Sequence, residues 1–257
     1  MHPMRILIVN PNTTVAMTEK IGAAARAVAS SGTEIIAVNP ADGPVSIEGY
    51  YDEAFSAPGL LAEIARGEAE GVSAHVIACF DDTALEAARS LAVAPVIGIG
   101  EAAFHMATMV AYRFAVVTTL SRSIAAIETN LLKYGLAGRC AKVRACEVPV
   151  LALDDPASDA SAQISAEIER AKRDDRAEAI VLGCAGMADL AARLTEQHGL
   201  PVIDGVTSAV KLAEACSVLN LKTSKIGAYA APRPKPYLGA FASFAPRQAR
   251  AVDPGKE

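Results

Sequence analysis

The sequence predicts an α/β protein in which two lobes of parallel β-sheet face each other across a cleft. Short β-branched runs alternate with longer helical patterns, as in βαβ units. Two cysteines, Cys79 and Cys184, end apolar strand patterns and precede helical ones. A proline and a further apolar strand follow them, at Pro95 after 16 residues and at Pro201 after 17. This repetition predicts two lobes related by a pseudo-twofold axis, with two matched thiols facing one cleft.

The first series of elements opens with the apolar run of residues 5–10. The turn signals Asn, Pro and Thr follow it at residues 10–14, before a helical pattern begins. Later boundaries rest on the same alternation of β-branched runs, turn residues and helical periodicity. The predicted strands are 5–10, 33–38, 74–78 and 96–99, and the predicted helices are 15–29, 60–67 with its continuation, and 83–91.

The second series repeats this order. Its first strand ends in a small polar residue, Thr118, as the first strand of the chain ends in Asn10. We predict a first lobe from residues 1–110 and 206–240, a second lobe from 111–205, and a polar tail over 241–257. The predicted strands are 114–118, 142–146, 179–182 and 202–203, and the predicted helices are 123–134, 161–173, 187–198 and 206–218, the last one packing back on the first lobe.

The charge and composition of the chain favour a small-molecule partner. The formal net charge is -5 and no basic cluster is present, which argues against nucleic acid and anionic membranes as partners. Neither a secretory signal nor an apolar run of membrane-spanning length is present, so we expect a cytoplasmic protein with reduced thiols. Five cysteines without CxxC spacing and four scattered histidines predict no disulfide framework and no metal site.

The carboxyl ends of the strands predict the functional site. Ligands of open α/β sheets bind beyond these ends, so Asn10, Cys79, Thr118 and Cys184 are expected to converge on one crevice. A thiol that precedes a helix lies near the positive end of the helix dipole, which predicts a pKa lowered toward thiolate. One thiolate and one thiol on opposite faces of a carbon atom are what a reversible proton transfer with inversion requires.

Each of these features has a structural alternative. A single cysteine at a strand end is more often a small buried apolar residue, and we interpret Cys140, Cys146 and Cys216, which lack the matched context, in this way. Asn and Thr at residues 10–14 are typical helix caps, and the same residues direct amides into the cleft. Asp81 and Asp82 are typical acids of a first helical turn.

A weak dinucleotide fingerprint, GxGxxA, occurs at residues 98–103. No acidic residue follows it about 20 positions later, where the partner of a ribose is expected. The glycines are therefore better explained by close packing or by access of a substrate.

Taken together, these residues resemble the aspartate/glutamate/hydantoin racemase superfamily, and within it the hydantoin and allantoin racemases. The similarity extends to about residue 230. It implies two Rossmann-like lobes, racemisation without a cofactor, and Cys79 and Cys184 as the two acid/base groups. It also implies substrate contacts from Asn10, from Gly43, Ser46 and Ile47 in the loop 43–47, and from Thr118 and Thr119. The segments that carry it are 9–14 (VNPNTT), 43–49 (GPVSIEG), 77–82 (IACFDD), 116–120 (VVTTL), 181–187 (VLGCAGM) and 201–205 (PVIDG).

The residues beside the cysteines favour a cyclic ureide as substrate. The amino-acid racemases of the superfamily typically have Asn or Thr after their cysteines, whereas Phe80 and Ala185 follow here. We expect Phe80, Gly183 and Ala185 to contact a flat ring whose C5 proton is acidic enough for thiols alone. Phe80 and Met187 are the apolar groups between which the ring is expected to fit. A homo-oligomer is also expected.

Three alternatives remain open at this stage. The chain can be an amino-acid racemase, or a decarboxylase or isomerase of the same superfamily. Such decarboxylases keep one of the two cysteines, so both together argue against that reaction. A bilobal binding protein that holds a small ligand by hinge closure is the non-enzymatic alternative.

Overall fold

Two four-stranded parallel sheets form the framework of the protein. The computed structural model describes residues 4–155 and 157–246. The first sheet has the order β2-β1-β3-β4 and the second the order β6-β5-β7-β8, so the same topology occurs twice. This confirms the predicted α/β class and its duplication. The strands are β1 (Met4–Val9), β2 (Thr33–Val38), β3 (Ala74–Ile77), β4 (Val96–Gly98), β5 (Phe114–Thr118), β6 (Cys140–Ala145), β7 (Ala179–Gly183) and β8 (Val202–Ile203).

Eight α-helices lie between and around these strands in the described part of the chain. None of the described helices is long and apolar enough to cross a membrane. The lobe boundaries at residues 110, 205 and 240 stay predictions, and residues 247–257 of the predicted tail lie outside the described residues. The helices are α1 (Val15–Val28), α2 (Tyr50–Ala69), α3 (Leu85–Leu91), α4 (Ile99–Val110), α5 (Ile124–Lys133), α6 (Ala160–Asp175), α7 (Ala191–His198) and α8 (Gly205–Val218).

Strand register places the predicted site residues side by side. Val9 of β1 pairs with Ile77 of β3, so Asn10 and Cys79 follow at neighbouring strand ends. In the second sheet Thr118 of β5 pairs with Gly183 of β7, which brings Thr119 beside Cys184. Because the carboxyl ends of parallel strands share one edge of a sheet, each lobe presents one cysteine at that edge.

Three helices begin two or more residues away from their predicted starts. Helix α2 begins at Tyr50, ten residues before the predicted start, and it contains Pro58. Proline is a strong signal against a helix interior, which explains the late prediction. Helix α3 begins at Leu85 because Ala84 has positive φ. Residues 187–190, predicted as the start of a helix, belong to the 3-10 helix 185–190, and α7 follows it.

The two lobes share one apolar core. The buried cluster that contains Ile8 of β1 also contains Val116 of β5, Phe104 of α4 and Val206 of α8. Helix α8 packs against α4 and α1. A Cβ atom on Gly205 would lie 2.5 Å from the carbonyl oxygen of Ile99, so only glycine permits this approach. Cys184 packs against this cluster, whereas Cys79 packs against a separate cluster that includes Val9 of β1 and Ile64 of α2.

Candidate active site

A small cavity of about 40 Å³ lies where the carboxyl ends of the two sheets face each other. Both lobes contribute to it, and both Cys79 and Cys184 lie on its wall. Apolar and small polar residues form the rest, a composition typical of small-molecule sites. The residues that line the cavity are Asn10, Pro11, Asn12, Met17, Ile47, Ala78, Cys79, Phe80, Asp81, Thr119, Ser123, Val150, Gly183, Cys184 and Ala185.

Eight of the eleven residues predicted for the site lie on this wall, and three do not. The buried Thr118 donates its hydroxyl to the carbonyl of Gly183 at 3.0 Å, so this side chain joins two strands and does not face the cavity. Gly43 lies on a second cavity, beside Tyr51 and Phe55 of α2. Ser46 lines neither of these two cavities. The eight on the wall are Asn10, Ile47, Cys79, Phe80, Thr119, Gly183, Cys184 and Ala185.

Ile47 reaches the cavity because its loop is bound to the turn after β1. The Thr14 hydroxyl donates to the carbonyl of Val45 at 2.6 Å, and the N–H of Thr13 donates to that of Pro44 at 3.0 Å. The predicted helix cap is wrong in detail. Thr14 precedes α1 but makes no side-chain capping bond, because its hydroxyl is used by the loop.

The amide of Asn10 organises this turn. Its Nδ2 donates to Oδ1 of Asn12 at 2.8 Å and to the hydroxyl of Thr18 at 3.0 Å. Asn12 in turn accepts the N–H of Thr14 at 2.9 Å. The carboxamide of Asn10 therefore holds the cavity wall in its shape, and its N–H groups are used within the turn.

Cys79 receives two hydrogen bonds at its sulfur. The Thr83 hydroxyl lies 3.2 Å from Sγ, and the main-chain N–H of Asp81 also donates to it. The loop that supplies both donors is fixed from the second lobe, because Asn130 of α5 donates to the carbonyl of Asp81 at 2.8 Å.

Cys184 has a matched but poorer environment. The main-chain N–H of Gly186, two residues after the cysteine, donates to its Sγ, as the N–H of Asp81 does in the first lobe. The residue four positions on is Ala188, so the hydroxyl supplied by Thr83 has no counterpart. Both thiols are partly exposed toward the cavity.

The prediction that a helix dipole lowers the thiol pKa values is wrong. Burial raises the pKa of both thiols, to about 12 for Cys184, and the negative charge of Asp81 raises both further. No α-helix begins directly after either cysteine, because α3 starts only at Leu85 and a 3-10 helix follows Cys184. With their pKa values raised in this way, both thiols are protonated at neutral pH.

Asp82 has a structural role, as the sequence analysis proposed. It does not lie in the first turn of α3, however, because that helix begins at Leu85. It is buried and accepts the N–H groups of Gly100 and Glu101 at 2.9 and 2.8 Å, which caps α4. It also accepts the hydroxyl of Tyr134 at 2.7 Å. A Cβ atom on Gly98 would lie 2.2 Å from Oδ1 of Asp82, so close packing explains this glycine of the GxGxxA pattern.

The apolar wall differs in one residue from the expected pair of Phe80 and Met187. Phe80 is buried and packs edge-on against Phe104 with ring centroids 5.4 Å apart. Met187 is fully buried in the core of the second lobe, and Met17 of α1 lies on the cavity instead. Helical periodicity marks Met17 only as one residue of a buried face, which is why sequence reasoning missed it.

Two further residues that the sequence analysis missed come from the second lobe. Ser123 is buried and precedes α5, and Val150 lies in a 3-10 helix after β6. The N–H of Val150 donates to the carboxylate of Glu48 at 3.1 Å, which connects the loop beside Ile47 to the opposite lobe. Only the spatial approach of the two lobes reveals this connection.

The remaining cysteines lie away from the cavity. Cys146 is buried and its thiol faces the carbonyl of Thr119 at 3.7 Å, while Cys140 and Cys216 are half-buried elsewhere. Within residues 4–155 and 157–246, no three His, Cys, Asp or Glu side chains form a group that could hold a metal ion.

A duplicated two-lobed α/β fold with one cysteine from each lobe in a shared cavity defines the class of this protein. The family model described as Asp/Glu/Hydantoin racemase matches residues 6–213. The chain therefore belongs to the Asp/Glu/hydantoin racemase family and is a racemase.

Relatives and a solved structure cover nearly the whole chain. It is 52% identical over 236 residues to a hydantoin racemase of Rhizobium meliloti, with 92% of this chain and 98% of the relative covered. It is 46% identical over 245 residues to a hydantoin racemase of Pseudomonas sp. (strain NS671), with 95% and 98% covered. The structure of an allantoin racemase from Klebsiella pneumoniae superposes with a TM-score of 0.92 at 52% identity, covering 95% of this chain and all of that one.

Proposed function

We propose that this racemase inverts C5 of 5-substituted hydantoins or of allantoin, without a cofactor, by proton transfer between Cys79 and Cys184. One observation carries the proposal: the two sulfurs come from opposite lobes, face one cavity and each receive the N–H of the residue two positions on. The hydantoin and allantoin racemases among its relatives support the choice of ring substrate.

The reaction requires one thiolate and one thiol. The thiolate removes the C5 proton, forming an S–H bond, and the electron pair of the broken C5–H bond passes into the neighbouring carbonyl as an enolate. The opposite thiol then gives its proton to the other face of C5. The product is the mirror image, and the two sulfurs have exchanged their protonation states.

Few residues of the cavity wall offer polar groups to the ring. Asn12, Thr119 and Ser123 lie on it among apolar neighbours such as Ile47 and Met17. Main-chain N–H groups after the strands are suited to the enolate oxygen, where charge develops in the transition state. We favour hydantoins with an apolar substituent slightly over allantoin, because the wall is mainly apolar.

A panel of substrates tests the proposal. Loss of optical rotation is measured for (R)- and (S)-allantoin, for both enantiomers of a 5-alkylhydantoin, and for both enantiomers of aspartate. We expect turnover of at least one ring and little or none of aspartate. Faster turnover of aspartate than of either ring would assign the chain to the amino-acid branch.

Replacement of each cysteine tests the mechanism. Cys79→Ser and Cys184→Ser are expected to abolish racemisation with the fold intact, whereas Cys216→Ser, the matched control, keeps nearly full activity. Circular dichroism verifies the fold of each variant. Racemisation by Cys79→Ser at the wild-type rate would disprove the two-thiol mechanism.

A further inference from the structure

The wall of the cavity contains one carboxyl group, that of Asp81. It lies near both cysteines, since its charge acts on Cys79 and on Cys184 alike. The proton transfer proposed above does not involve the carboxyl group of Asp81. Its place on the cavity wall nevertheless puts an acidic side chain where a substrate must bind.

A second carboxyl group, that of Glu53 on α2, lies next to the carboxyl group of Asp81. The two carboxyl groups are within hydrogen-bond reach of each other. Among the described residues, no N–H or O–H group donates to the buried Oε1 of Glu53. Because two carboxylates have no hydrogen to share, the contact requires one proton between them, and the pair then keeps one negative charge.

Other charged groups near the pair are few in the described part of the chain. Asp82 on the same loop is an acid as well, and Lys20 of α1, which acts on Cys184, lies 3.1 Å from Asp189. Burial, followed by the charge of Glu53, raises the pKa of Asp81 to about 7. The charge on the pair therefore changes near neutral pH.

We infer that the Asp81–Glu53 pair determines the substrate class of the cleft: it accepts an N–H of an uncharged ureide ring and repels a ligand that carries a carboxylate. The ring-opened N-carbamoyl acid is the sharpest comparison, because it has the same substituent and a free carboxylate. Aspartate and glutamate, whose net charge is negative at neutral pH, are repelled through the same charge. This inference rests on the proposed function, since the ring is the proposed substrate.

Binding of a 5-alkylhydantoin and of its N-carbamoyl acid, measured by calorimetry, tests the inference. In wild-type protein the ring is expected to bind more tightly at pH 8. The acid is expected to gain affinity as the pH falls from 8 to 6, because protonation of Asp81 lowers the charge of the pair from two to one and weakens the repulsion. The carboxylate of the ligand stays ionised over this range.

Variants separate this charge effect from a structural role. Asp81→Asn keeps a carbonyl acceptor but loses the charge-assisted hydrogen bond, so we expect the ring to bind more weakly at pH 8. The acid is expected to bind about tenfold more tightly, and its pH dependence to disappear. In Glu53→Gln the pKa of Asp81 falls, which moves the pH dependence to lower pH. Asp174→Asn, an exposed acid paired with Arg173, removes the same charge as a control and changes neither affinity.

Two results would overturn the inference. One is equal affinity of wild-type protein for the ring and the acid at pH 8, and the other is an unchanged affinity for the acid in Asp81→Asn. The proposed function is judged separately by polarimetry. A protein that shows the expected selectivity but racemises no ring would retain the inference and lose the function.

Discussion

The hydroxyl of Thr83 lies 3.2 Å from the sulfur of Cys79 and donates a hydrogen bond to it. A donor stabilises the thiolate more than the thiol, so this contact lowers the pKa of Cys79 against the effect of burial. Cys184 has Ala188 at the corresponding position. The two matched thiols are therefore chemically different, and the hydroxyl of Thr83 is one source of the difference.

Loss of the Thr83 hydroxyl is expected to slow catalysis. Thr83→Val removes a hydrogen bond to a charged sulfur, which corresponds to a decrease of about tenfold in kcat/KM for both enantiomers. The decrease is equal in both directions because the enantiomers have equal free energy. Alkylation by iodoacetamide, followed by mass spectrometry, should slow at Cys79 and stay unchanged at Cys184. Thr83→Ser keeps the hydroxyl and the wild-type rates; unchanged kinetics in Thr83→Val would remove any role of this contact.

The raised thiol pKa values predict a steep dependence of alkylation on pH. Below a pKa of about 12, the thiolate fraction of Cys184 rises about tenfold per pH unit. In the Cys79→Ser variant, the labelling rate of Cys184 should therefore rise through pH 9 without a plateau. Bound hydantoin is expected to protect the thiol. A small-molecule thiol serves as control, and a plateau of the protein near pH 8 would restore the helix-dipole interpretation.

Asp82 is expected to control both stability and activity. Asp82→Ala leaves the buried N–H groups of Gly100 and Glu101 without an acceptor, at a cost of about 3 kcal/mol in the free energy of unfolding. Asp82→Asn keeps an acceptor and tolerates the positive φ at this position. Urea denaturation measures the difference. Equal midpoints for the two variants would contradict a capping role.

Glu214 on α8 links that helix to the first lobe. Its carboxylate accepts bonds from the main chain and hydroxyl of Ser30, from Thr33 and from Lys211, all between 2.7 and 2.9 Å. Although burial alone would raise it, these donors lower the pKa to about 2. A lowered pKa stabilises the fold above the ordinary value of 4.5, and this contribution is lost as the pH falls toward 2.

The substitution Glu214→Gln tests this link. It should cost about 2 kcal/mol at pH 7, and the difference from wild type should shrink between pH 4.5 and 2. Thermal unfolding at a series of pH values measures it. Glu169→Gln, in which an exposed acid of α6 is changed, is the control with a small effect. A pH-independent difference for Glu214→Gln would exclude the linkage.

The sequence by itself determined the strands, their repetition in two lobes and the pair of catalytic candidates. Periodicity and turn signals are local, so they predict β5, β2 and β8 at their observed bounds. The matched contexts of Cys79 and Cys184, together with the position of ligands at strand ends, predict a shared cleft without knowledge of any distance.

Tertiary structure alone decided the electrostatics and the composition of the wall. Desolvation depends on all segments that surround a group, so burial and Asp81 raise thiol pKa values that the chain order suggested were low. Glu53 approaches Asp81 because α2 packs beside the strand ends, and Thr118 turns into a strand contact while Thr119 faces the cavity. These relations join residues that are distant in sequence or that differ by one position, and no local pattern encodes them.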